Sequence, residues 1–195
     1  MKEYNYGRIR VLANRLEEAG IPQEIRDKIL AGGEMILGST SPEKKADWMR
    51  EAMNRMDKLL DAQTRNAIRE GCACCLGGKR LELSKGIAAE HHSLEDRIEA
   101  ANKTKFVFGH SVTQESDGKI LVSFTPEGLE NYRCVCLPKA KEPVSITYCY
   151  CCGGHIKHHL QIALGRKVSC TVRSSALASG SKKSCTFLFS IEEPD

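Results

Sequence analysis

The stretch "SITYCYCCGGHIKHHLQIALG", residues 145–165, decides the fold because its character changes in the middle. Its first part, "SITYCYC" (145–151), is rich in β-branched and aromatic residues, which predicts a strand. Its second part, "HIKHHLQIAL" (155–164), sets Ile156, Leu160, Ala163 and Leu164 at helical spacing and stops at Gly165. That pattern predicts an amphipathic helix. Cys152, Gly153 and Gly154 then form the turn between the two. A strand at 145–151 places Cys149 and Cys151 on one face, because strand residues two apart point the same way. His155, His158 and His159 fall at the edge of the helix's apolar stripe, three and four residues apart.

On the N-terminal side, "KFVFGHSV" and "KILVSFT" read as strands joined by "TQESDG", whose Asp-Gly suits a hairpin turn. "YRCVCL" (132–137) reads as a further strand, pairing with 145–151 across "PKAKEP" and bringing Cys134 and Cys136 toward Cys149 and Cys151. On the C-terminal side, "KVSCTV" and "CTFLFSI" read as two last strands joined by "SSALASGSKK". The first hundred residues read as helices. Gly20 and the Gly32–Gly33 pair are stop signals, Pro22 and Pro42 suit first turns, and Ser93 is placed as an N-cap. Met49, Ala52, Met53, Met56, Leu59 and Leu60 follow helical spacing and read as a core-facing stripe. The expected fold is therefore α+β: a helical region over 1–103, then an antiparallel sheet domain over 104–195 in the order ββββαββ, packed together as one compact unit.

Composition narrows the function. Of 195 residues, 29 are basic and 25 acidic, and the resulting net charge of +4 is spread along the chain. With no basic arm, nucleic acid is not an expected partner. No apolar run nears the roughly 18 residues of a membrane span, so no membrane association is expected. "MKEYNYGRIR" has no apolar segment behind its charges, so no export signal is expected and the expected compartment is the cytoplasm. The sequence leaves the oligomeric state open.

Ten cysteines stand out: Cys72, Cys74, Cys75, Cys134, Cys136, Cys149, Cys151, Cys152, Cys170 and Cys185. In a reducing compartment such density points to metal or thiol chemistry rather than disulfides. The main expectation is a metal site drawn from Cys72, Cys74, Cys75, Cys134, Cys136, Cys149, Cys151 and Cys152, with His155 and His159 as imidazole ligands. Zinc is the expected cofactor, favoured over iron–sulfur because histidines accompany the thiols, with a cluster held by four cysteines left open. A first alternative is a thiol- or metal-dependent hydrolase of a small heterocyclic or amide substrate. There Cys152 would be the nucleophile, His155 or His110 its base, and an N–H near Gly153 the oxyanion donor. A second alternative is thiol redox chemistry, since Cys72–Cys75 and Cys149–Cys152 each contain a C-x-x-C. Cys170 and Cys185 read as core residues.

The last third carries a resemblance. Cys152 before a helix, "LGRKV" (164–168), Gly180 in a turn and the "CTF" strand at Cys185 are similar to the 4-vinyl reductase-type small-molecule-binding domain. They also resemble bacterial proteins grouped near L-2-amino-thiazoline-4-carboxylic acid hydrolase. The resemblance covers roughly 45 residues and implies a small hydrophobic or aromatic ligand between helix and sheet. It also implies a zinc held by three cysteines and an acid. Cys152 and Cys185 match the first and last of these cysteines, whereas the middle one falls at Ser174 or Ser175, so that zinc site is incomplete. The whole chain resembles an uncharacterised bacterial family.

Overall fold

The structure, a computed structural model, describes residues 3–192. The helices begin where local chemistry supplies caps. α1 (Gly7–Glu18) and α2 (Gln23–Ile29) precede α3 (Pro42–Leu59), whose N-terminus is capped by Ser41, its hydroxyl accepting from the Lys44 N–H. Asp61 caps α4 (Ala62–Gly71) and Ser93 caps α6 (Leu94–Lys103), each accepting from the N–H three residues on. Between them lies α5 (Gly78–Glu90), and a single turn, α7 (Lys105–Phe108), follows α6.

β1 (Ser111–Gln114) and β2 (Ile120–Ser123) form a hairpin across the expected Asp-Gly turn, with Gly118 taking the left-handed conformation at φ 81°. The strand expected over 105–112 is corrected: Lys105–Phe108 make the helical turn α7, closed by Gly109 N–H donating to Lys105 O at 2.9 Å, and the strand begins only at Ser111. β3 (Val168–Ser174) and β4 (Thr186–Ile191) complete one antiparallel sheet of order β1-β2-β4-β3. Register pairs Val112 with Val122, Val122 with Phe187, and Cys170 with Phe189. Val112, Ile120, Val122, Val168, Phe187 and Phe189 are buried on the inner face. The α+β class with an antiparallel sheet and a packed helix is what the sequence led one to expect.

The order ββββαββ is corrected to ββαββ among the described residues. Residues 132–137 form no strand. Their backbone is held locally and by the 175–181 loop instead, Tyr132 N–H donating to Ser181 O at 2.9 Å and Leu137 N–H to the Cys134 sulfur at 3.4 Å. Residues 145–151 are not a strand either. The Ser145 hydroxyl accepts from Thr147 N–H at 3.2 Å and starts a 3-10 turn over Ile146–Cys149, which runs directly into α8 (Tyr150–Leu164). Local hydrogen bonding and burial thus override the strand propensity of Ile146, Thr147 and Tyr148. Cys149 and Cys151 consequently share no strand face; helical geometry sends residues two apart to nearly opposite sides.

α8 is the centre of the molecule, contacting α4, α5, α6, α7 and β3. The Gly153–Gly154 pair permits this. A Cβ on Gly154 would lie 2.3 Å from Glu70 O at the end of α4, and one on Gly153 would lie 2.7 Å from the Cys170 sulfur on the sheet. Arg97 secures the far end, donating to Leu164 O at 2.7 Å, Ala88 O at 3.0 Å and His91 O at 2.9 Å. The buried apolar side chains of helices and sheet form one continuous cluster. Among the described residues no helix is long and apolar enough to cross a membrane.

Candidate metal centre

Three segments bring cysteines together at the N-terminal end of α8. The end of α4 leads into Cys72 and the irregular 73–77 segment, the first turn of α8 carries Cys151 and Cys152, and the 130–137 segment carries Cys134 and Cys136. The sulfurs of Cys136 and Cys152 are 3.8 Å apart. Cys134 stands two residues before Cys136 and Cys151 directly before Cys152, so the two segments bring four thiols to this end of α8. Cys72, Cys74, Cys136 and Cys151 line one cleft of about 130 Å³, together with Arg8 and Arg69.

Arg69 is the key charge. It is 3% exposed; its Nη2 donates to Tyr148 O at 3.1 Å, its guanidinium lies 4.8 Å from the Tyr148 ring centroid, and its Nε has no partner. Among the described residues no carboxylate pairs with it. Burial disfavours its charge, but the thiols of Cys151 and Cys72 outweigh that and hold it protonated above its usual range. Arg8 adds a second cation, donating to Cys136 O at 2.6 Å and to the Tyr148 hydroxyl at 3.2 Å. A buried cation without a carboxylate requires another anion, and here the nearby candidates are sulfurs.

The thiols differ accordingly. Hydrogen bonds from Cys134 and Cys152, against the cost of burial and with help from Arg8 and Arg69, pull Cys136 down to about 3. It is the thiolate of the set. Cys134 and Cys152 are raised because each donates its S–H. Cys151 is lowered to about 7, chiefly by its bond to Cys152. Burial raises Cys72, and burial with the Cys75 contact raises Cys74 to about 11.

The remaining sequence candidates lie elsewhere. Cys149 is buried against the Ser175 hydroxyl at 2.8 Å and pushed up to about 12 by burial. Cys185 accepts the Ala176 N–H at 3.3 Å beside Ser175, so Ser175 stands between the thiols of Cys149 and Cys185. Cys170 packs under Gly153. Exposed Cys75, with φ 62°, is 3.8 Å from Cys74.

The three α8 histidines bind backbone. His155 Nδ1 meets Cys74 O at 3.0 Å, His159 Nε2 meets Cys75 O at 3.1 Å, and His158 Nε2 meets Leu76 O at 3.2 Å. Three successive loop carbonyls are thus each held by an imidazole. The second nitrogen of His155 faces Val107 O at 3.3 Å, and that of His159 faces Ser84 Oγ at 3.0 Å. A neutral His155 donates its one N–H to either Cys74 O or Val107 O and not to both. Burial depresses His155, and holds His159 down at about 4, so both rings are neutral near pH 7. Among the described residues no three His, Cys, Asp or Glu side chains converge tightly enough to hold a single ion as they stand. Nor does a hydrogen bond join His155 to Cys152; its partners are Cys74 O and Val107 O.

Sequence reasoning did not single out Arg8 or Arg69. The one local signal is that Arg69 stands three residues before Cys72, on the same helical face.

A comparison with family models matches residues 10–188 to the family of unknown function DUF6144. The chain belongs to this family. The DUF6144 match takes in all ten cysteines, Arg69 and the three histidines of α8, so the thiol cluster lies within the family's own region. No curated protein and no solved structure matches.

Proposed function

We propose that this DUF6144 protein binds a thiophilic metal through the cysteines gathered between α4, α8 and the 130–137 segment. The observation that carries this reading is the contact of Cys136 and Cys152 beside Arg69, a buried cation with no carboxylate partner among the described residues. Zinc lies about 2.3 Å from each thiolate sulfur, and a tetrahedron of that size has edges of about 3.8 Å. The Cys136–Cys152 separation matches such an edge. Cys134 and Cys151, neighbours in the chain of that pair, would close inward to complete a four-thiolate set. Four thiolates on a dication leave a net charge of −2, which Arg8 and Arg69 offset. Zinc, the cofactor expected from the sequence, rests on the thiols alone, since the α8 imidazoles are engaged by carbonyls.

The ten free cysteines suit a reducing compartment such as the cytoplasm. A small-molecule ligand rests on the resemblance of the C-terminal third to 4-vinyl reductase-type domains. The hydrolase alternative has less support, because Cys152 meets Cys136 rather than His155. Thiol redox chemistry has one supporting observation, the 3.8 Å contact of the Cys136 and Cys152 sulfurs.

Alkylation mapping separates these readings. In reduced protein carrying its native metal, Cys134, Cys136, Cys151 and Cys152 should resist alkylation and become reactive after chelation. Equal reactivity before and after chelation would exclude a thiolate centre.

A further inference from the structure

We propose that the cleft bounded by Cys72, Cys74, Cys136 and Cys151 is the seat of an iron–sulfur cluster. This inference rests on the metal-binding reading and refines its ligand set, keeping Cys136 and Cys151 and taking Cys72 and Cys74 in place of Cys134 and Cys152. A single ion draws its sulfurs to within about 3.8 Å of one another and leaves no open space between them. Here four thiols from three chain segments border a cleft of about 130 Å³, several times the ~30 Å³ that one water occupies. A cluster suits thiols that border an open space, because each cysteine binds a separate iron and inorganic sulfides fill the interior.

The donor set agrees. All four ligands are sulfur, and the histidines that would mark a mixed zinc site are held by the carbonyls of residues 74–76. Arg8 and Arg69 border the same cleft, and Arg69 Nε is buried without a partner. A [4Fe–4S]2+ core with four thiolates is a dianion, and two guanidinium groups balance it. Cys152 lies outside the cleft with its sulfur 3.8 Å from that of Cys136. It is therefore placed to hydrogen-bond to a ligating sulfur, which is one of the ways a protein tunes a cluster's potential.

The test uses full-length protein expressed with iron and purified anaerobically without chelator. Iron and acid-labile sulfide should be present in equal amounts, about four of each per chain, with broad visible absorption that bleaches on reduction. Cys75 is 3.8 Å from Cys74 and is available to replace it, so both are changed. Both are exposed, and Cys74→Ser/Cys75→Ser should keep the wild-type circular dichroism while losing iron and sulfide several-fold. Cys185→Ser should retain both. One zinc per chain without sulfide overturns the cluster and leaves the metal-binding reading standing. Absence of any metal overturns both. A full cluster in the Cys74→Ser/Cys75→Ser protein overturns the assignment of the cleft.

Discussion

Arg69 Nη2 donates to the carbonyl oxygen of Tyr148 at 3.1 Å and stacks its guanidinium on the same residue's ring, inside a site with no carboxylate among the described residues. This relationship fixes the turn that launches α8 and puts a permanent charge against the thiols of Cys72 and Cys151. Arg69→Met should therefore act twice. Removing the partner of a buried thiolate should cost about 3 kcal/mol in urea unfolding, and metal content should fall several-fold. Arg69→Met with unchanged stability and metal content would show that the sulfurs do not depend on this cation.

Gly154 is required by the approach of α8 to α4. An alanine Cβ there meets a backbone oxygen, Glu70 O, at 2.3 Å, which no side-chain rotation relieves. Gly154→Ala should destabilise by about 2–4 kcal/mol. A loss below about 0.5 kcal/mol, within the range of surface substitutions, would be incompatible with this docking.

The histidines predict an acid sensitivity. Both His155 and His159 are depressed below the usual 6.5 by burial, His159 to about 4. The unfolded chain thus binds protons at a higher pH than the folded one, and stability should be full above about pH 7 and fall between about 6.5 and 4. The loss should be on the order of 2 kcal/mol, and His159→Gln should flatten the profile. Rising stability through that fall in pH would reverse the assignment.

Arg97 offers a structural control far from the thiols. Its three bonds join the ends of α5 and α8, so Arg97→Ala should cost about 1–3 kcal/mol. Metal per folded chain should not change. If metal is lost in proportion to stability, the site is a reporter of folding rather than of its own residues.

What the sequence revealed was local. The Asp117–Gly118 hairpin, the Ser93 cap, the Gly165 stop and the α+β class each depend on neighbours in the chain, and each is present. The segments at 105–108, 132–137 and 145–151 misled, because strand propensity does not say whether a pairing partner exists or whether the backbone will turn first, as it does at Lys105–Phe108 and at Ser145. The clustering of cysteines was legible as density, while the members that meet depended on α8 beginning at Tyr150 rather than after the glycines. The histidines lay beside the thiols in sequence, yet their rings serve the carbonyls of residues 74–76. Arg69 was hidden because nothing in "TRNAIREG" shows that its guanidinium will be buried without a carboxylate.

The central claim is that these cysteines hold a thiophilic metal, and its most direct test is metal analysis of the full chain purified anaerobically without chelator. The account predicts a stoichiometric centre, zinc or iron with sulfide, that falls several-fold in Cys136→Ser while the protein stays folded. A folded wild-type protein free of metal, with all ten cysteines open to alkylation once denatured without chelator, would contradict it.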